Sequence, residues 1–187
     1  APALNAALTN EIMENIIIPT IKGMKSENME YQGILYAGIM LTNDGPKVIE
    51  FNCRFGDPET QVILPRLKTD LVDIILKSSE KKINEFEIKL IPDTAITVVI
   101  ASKGYPGPFV KGHILPPLDI EDTFGKISVF HSGTSINKKN ETVSNGGRVL
   151  SITAVSENAA KCRDDVYKAV ELINWDQGFY RTDIGKL

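Results

Sequence analysis

Leu8, Ile12, Ile16, Ile17 and Ile21 recur at the intervals that gather apolar side chains onto one helical stripe. The pattern predicts a helix, with Gly23 as its C-cap and Pro19 kinking or restarting it. Gly33 to Leu41 then reads as a strand, Thr42-Asn43-Asp44-Gly45-Pro46 carries an Asp-Gly turn signal, and Lys47 to Asn52 returns as the partner strand. After this hairpin, Asp57 stands where an N-cap belongs, Pro58 at the first helical position and Glu59 in the first turn, and Pro65 limits the helix. A further helix is expected from Asp70 to Ser79 with Leu71, Ile74 and Ile75 on one face, followed by a polar, weakly patterned connection from Lys81 to Pro92.

Beyond Pro92 the pattern changes. Strand-like runs cover Ala95 to Ala101, Ile127 to His131 and Arg148 to Val155, separated by glycine-rich turns. Ser156 to Ile173 reads as a helix with Ala159, Val166 and Val170 inward, and the tail from Trp175 to Leu187 as one more short strand. The expected fold is α+β: an antiparallel hairpin with helices over residues 1–92, then a small sheet-plus-helix domain over residues 93–187.

The second hairpin strand and its sequel, Lys47-Val48-Ile49-Glu50-Phe51-Asn52-Cys53-Arg54-Phe55-Gly56-Asp57-Pro58-Glu59, carry more polar chemistry than a buried strand tolerates, because unpaired polar groups cost several kcal/mol in a core. If the strand stays regular to Arg54, Glu50, Asn52 and Arg54 share one face and Ile49, Phe51 and Cys53 the other, a dry one. Mg2+ takes oxygen ligands and is held by one or two carboxylates while phosphate oxygens complete its shell. Glu50 and Asn52 supply two such oxygens, Arg54 can fork onto phosphate, and helix amides after Asp57 favour an anion. A second reading fits the spacing alone at least as well: Glu50 and Arg54 as a surface salt bridge, Asn52 solvated, Asp57 and Glu59 merely capping.

Asn145-Gly146-Gly147-Arg148 reads equally as an anion cradle and as a glycine-rich turn with an exposed arginine. Lys103 and Lys111 flank a turn-rich loop, Gly104-Tyr105-Pro106-Gly107-Pro108, read as a loop; His131 and an inward Cys53 read as structural. No Ser/His/Asp or Cys/His arrangement stands out.

Composition narrows the partners. The net charge of -3, with scattered lysines, forms no basic stripe and argues against nucleic acid. Two distant cysteines without CxxC spacing point to a reducing compartment, read as the cytoplasm. Apolar runs such as Ile16-Ile17-Ile18 are too short to span a membrane, and no export signal is visible. A start at Ala1, directly before a helical pattern, reads as a piece of a longer polypeptide.

The run from Ile49 to Gln61, preceded by Gly33-Ile34-Leu35-Tyr36-Ala37-Gly38, closely resembles the glycinamide ribonucleotide synthetase (phosphoribosylamine-glycine ligase) family of ATP-grasp enzymes. The resemblance continues through Ala101 to Gly107, Phe130 to Thr134, Asn145 to Leu150 and Tyr180 to Gly185, nearly the whole chain. It implies the C-terminal part of an ATP-grasp core followed by the small C-terminal domain. It also implies ATP-dependent ligation of glycine to 5-phosphoribosylamine through glycyl phosphate, with Mg2+ or Mn2+ on ATP held by Glu50 and Asn52. Arg54 is then expected to serve nucleotide and catalysis, Glu59 catalysis and substrate, and Asp57, Gly146, Gly147 and Arg148 the substrate. An upstream half would complete the site, leaving this piece inactive alone, and the wording of Ile100 to Lys103 resembles relatives that continue into further purine enzymes. Another ATP-grasp carboxylate-amine ligase, or a non-catalytic binding module, is the alternative reading.

Overall fold

The structure, a computed structural model, describes residues 4–120 and 126–186. Within them the chain divides into two compact units, one running to Gly56 and including Thr69–Ile88, the other holding Asp57–Lys68 and Lys89–Lys186.

The first unit opens with α1 (Ala6–Ile12), where Asn5 Oδ1 caps the helix by accepting from the Leu8 amide at 2.9 Å. A π-helical turn (Met13–Ile17) leads into α2 (Ile18–Ser26). Pro19 accounts for the restart, since it brings no N–H and sits in the first turn of α2, where none is needed. Gly23 is not the C-cap: the helix runs on to Ser26, and Glu27 closes it.

The predicted hairpin forms, but from β1 (Tyr36–Thr42), which starts three residues later than expected, and β2 (Gly45–Asn52), which starts two earlier, with Gly45 at positive φ as it leaves the turn. Its register contains a β-bulge: Gly38 lies opposite Glu50 but Ile39 opposite Val48, which leaves Ile49 as the extra residue on β2. The face expected to be dry is not buried, as Ile49 is 63% exposed and Phe51 41%. Cys53 is exposed too, so it is no core residue.

Residues 57–68 belong to the second unit and hold α3 (Thr60–Ile63) and a 3-10 turn (Leu64–Arg66) around Pro65. Asp57 is not the N-cap; Glu59 holds that position without a side-chain cap, and a helix of four residues has little dipole to offer an anion. Back in the first unit, α4 (Leu71–Ser79) is capped by Asp70, whose carboxylate accepts from the Val72 amide at 2.7 Å. Leu71 and Ile74 are half-buried as expected, but Ile75 is exposed.

The core of the second unit is a four-stranded antiparallel sheet with α5 against it. The strands are β3 (Thr94–Ser102), β4 (Lys126–His131), β7 (Arg148–Ser156) and β8 (Gly178–Phe179), in the order β4-β7-β3-β8. A separate hairpin of β5 (Thr134–Ile136) and β6 (Thr142–Ser144) lies between β4 and β7 in sequence and was not expected. Asn140 turns its corner at positive φ, a conformation asparagine tolerates well. α5 (Ala159–Ile173) buries Cys162, Val166, Ala169, Val170 and Ile173, which recur three and four apart and pack with Val98, Leu150 and Ile152. Full burial of each of these valine, leucine and isoleucine side chains contributes about 1.5–3 kcal/mol. Ala159 is only half-buried, one turn outside that stripe. Leu187, the end of the expected tail, lies outside the described residues.

Candidate functional site

In the first unit the polar groups of the hairpin meet as the alternation predicts. Asn52 Nδ2 donates to Glu50 Oε1 at 3.1 Å, so the two side chains stand together on one face. This orientation directs the Asn52 amide oxygen and the second Glu50 oxygen to other partners. Gly38, opposite Glu50, leaves the room: a Cβ there would stand 3.2 Å from the Glu50 Cγ. An exposed carboxylate and the amide oxygen of a half-buried neighbour form a donor set that suits a hard divalent cation whose remaining ligands come from phosphate and water. Among the described residues no group of three or more His, Cys, Asp or Glu could hold a metal by itself.

Arg54 does not stand one pleat further along. β2 ends at Asn52, the alternation stops there, and Arg54 Nη1 donates to the Phe55 carbonyl at 2.8 Å. Its guanidinium keeps further donors for an anion. Cys53 neighbours Tyr31, whose hydroxyl is pushed above its ordinary range by burial and by hydrogen bonding to Cys53.

In the second unit Asp57 and Arg148 come together across 91 residues of sequence. Arg148 Nη2 donates to Asp57 Oδ2 at 2.7 Å and Nη1 to the Asp57 carbonyl oxygen at 3.0 Å. Arg148 stands beside a second bulge: Ile100 lies opposite Leu150 but Ala101 opposite Arg148, which leaves Val149 over. The turn before it, which holds Gly146 and Gly147, is packed on both sides rather than free. Ser102 Oγ donates to the Gly146 carbonyl at 2.9 Å and the Ser102 amide to that of Gly147 at 2.8 Å. A Cβ on Gly147 would stand 2.1 Å from the Tyr105 ring, and one on Gly133 would stand 2.5 Å from the Arg148 carbonyl oxygen. Close backbone approach, more than turn flexibility, is why glycine stands at these positions.

Ser102, Tyr105 and Gly133, which lie in the stretches that carry the resemblance but had no role assigned, thus join the site region. Glu59 heads α3 as its N-cap. Lys103 and Lys111 are exposed, and the His131 ring pairs with Thr134 Oγ1 at 2.9 Å within its own turn. Both cysteines are free, and no helix among the described residues is long and apolar enough to cross a membrane.

Comparison with known proteins matches two domains in order along the chain. Residues 1–60 match the ATP-grasp (A) domain of phosphoribosylglycinamide synthetase, and residues 95–187 match its C domain. Phosphoribosylamine-glycine ligase of Vibrio parahaemolyticus is 44% identical over 99% of this chain and 43% of its own length. The trifunctional purine biosynthetic protein adenosine-3 of Gallus gallus is 45% identical over 99% of this chain and 18% of its own. The crystal structure of phosphoribosylamine-glycine ligase from Thermotoga maritima superposes with a TM-score of 0.76 at 27% identity, covering 98% of this chain and 44% of that one. This chain therefore spans less than half the length of these relatives. With both domain profiles matched in order along it, the chain belongs to the phosphoribosylglycinamide synthetase family.

Proposed function

We propose that the enzyme to which this chain contributes joins glycine to 5-phosphoribosylamine. The glycine carboxylate attacks the γ-phosphorus of ATP and releases ADP; the amine then attacks the resulting glycyl phosphate and expels phosphate, leaving glycinamide ribonucleotide. Both steps gather negative charge on phosphoryl oxygens, so the protein has to position reactants and supply counter-charge rather than a nucleophile. Glu50 and Asn52 are the residues that would hold Mg2+ or Mn2+. When bound, that ion supplies charge neutralisation and orientation of the ATP phosphates. Arg54 presents its remaining N–H groups to phosphoryl oxygen, and Glu59 serves the reacting groups and substrate. Arg148, oriented by Asp57, takes the ribose phosphate beside the Gly146–Gly147 backbone. We place the domain boundary near residue 92, the protein in the cytoplasm, and the rest of the active site in the part of the relatives that this chain does not match.

The observation that carries this reading is the Glu50–Asn52 pair, a carboxylate and an amide 3.1 Å apart on an exposed strand face opposite a glycine. Glu50→Gln in the full-length enzyme tests it. A metal ligand predicts that half-saturating Mg2+ rises about tenfold or more with the melting temperature unchanged, since a hard-cation site loses a charged ligand while no core packing changes. A surface salt bridge predicts a loss of at most about 1 kcal/mol in stability and superimposable metal titrations. Superimposable titrations would remove Glu50 from the site.

A further inference from the structure

The bulge at Ile49 changes which side chains of β2 share a face. Regular alternation would group Val48 with Glu50 and Asn52, and leave Lys47 with Ile49 and Phe51. In the observed register the residue skipped is on β2, so β1 keeps its alternation: Gly38 and Met40 share a face, with Glu50 opposite the first and Lys47 opposite the second. Lys47 therefore stands on the face of Glu50 and Asn52, and Val48 passes to the other side, opposite Ile39. Two residues of β1, about 7 Å, separate the two cross-strand pairs, a span that a four-carbon stem largely covers. Lys47 is exposed, and among the described residues no hydrogen bond or ion pair holds its ammonium; the Glu50 carboxylate is engaged by Asn52 instead.

We infer that Lys47 is a phosphate-binding residue of the nucleotide site, turned onto the metal-binding face by the bulge to take an anionic oxygen of ATP. This rests on Glu50 and Asn52 holding the metal of that nucleotide. A triphosphate carries more negative charge than one divalent ion neutralises, and a lysine ammonium is a point charge that meets phosphate without fixed geometry. One inserted residue delivers that charge to the chemical face and returns an apolar side chain to the other, which a substitution without a register change would not do.

Lys47→Met keeps the stem and removes the charge. In the full-length enzyme it should raise KM for Mg-ATP about tenfold or more, leave KM for glycine within about twofold and leave the melting temperature unchanged. Lys47→Arg should recover most of the ATP affinity. Lys25→Met, an exposed lysine on α2, serves as the control and should change nothing. A KM for Mg-ATP within twofold of wild type in Lys47→Met overturns the assignment. If Glu50→Gln still shifts the Mg2+ titration in that case, only Lys47 leaves the site; if neither variant responds, the metal-site reading falls with it.

Discussion

At the scale of single residues, pairing distinguishes the two groups of candidate side chains. Glu50 and Asn52 lie two apart on one strand, so their contact follows from local geometry. Asp57 and Arg148 owe theirs wholly to folding. In the proposed enzyme Arg148 meets the ribose phosphate with the N–H groups that Asp57 leaves open. Arg148→Ala should raise KM for 5-phosphoribosylamine by the equivalent of about 1.5–3 kcal/mol, the worth of a hydrogen bond to a charged group, with ATP parameters unmoved. Asp57→Asn, which keeps the side-chain shape and an acceptor, should cost less in the same measurement. Unchanged steady-state constants in Arg148→Ala would return the residue to a structural role between β7 and the Asp57 loop.

At the scale of elements, α5 shows how one buried charge anchors a helix. Asp165 sits on the inner face, 7% exposed, where it accepts from Ser156 Oγ at 2.6 Å and pairs with Lys161 Nζ at 2.7 Å. Burial, the largest influence, favours the neutral acid. Hydrogen bonds from Lys161 and Ser156, with the charges of Lys161 and Lys168, together outweigh it and hold the carboxyl below its usual range. A carboxyl depressed in the folded state contributes stability above its unfolded pKa of about 3.9 and loses it as pH falls through the lower folded value. Asp165→Asn should therefore destabilise the second unit by about 1.5–3 kcal/mol at neutral pH, the worth of hydrogen bonds to a charged acceptor. The gap from wild type should close below about pH 4 in denaturant melts taken across pH. A gap that stays constant with pH would mean that the carboxylate charge contributes nothing.

At the scale of the whole molecule, each of the two units carries part of the proposed chemistry: the Glu50–Asn52 pair in the first, Arg148 with Asp57 in the second. The first unit leaves Ile49, Phe51, Val72, Ile75 and Leu76 exposed, and its polar face offers two metal ligands rather than a complete shell. Purified as 187 residues, the chain should bind Mg-ATP weakly at best and release no ADP on adding glycine and 5-phosphoribosylamine. Calorimetry with Mg-ATP and a coupled ADP assay check this, and glycine-dependent ADP release above the protein-free control would show that this segment holds a complete site.

The sequence by itself determined what depends on near neighbours. Period two places Glu50 beside Asn52, the Asp-Gly turn closes the hairpin, and three- and four-residue spacing marks the buried stripe of α5. Each is a relation among residues a few positions apart, which backbone geometry alone converts into a shared face. What the tertiary structure decided depends on the partner strand or on distant chain. The alternation meant to carry Arg54 onto the metal face stops at Asn52, where pairing with β1 ends at Tyr36. The Asp57 expected as a helix cap turns to Arg148 instead, because a charged fork offers more than an orphan amide of a four-residue helix. The bulges at Ile49 and Val149 settle which face Lys47 takes and set Arg148 opposite Ala101, and a bulge is a property of two paired strands that no periodicity within one of them encodes.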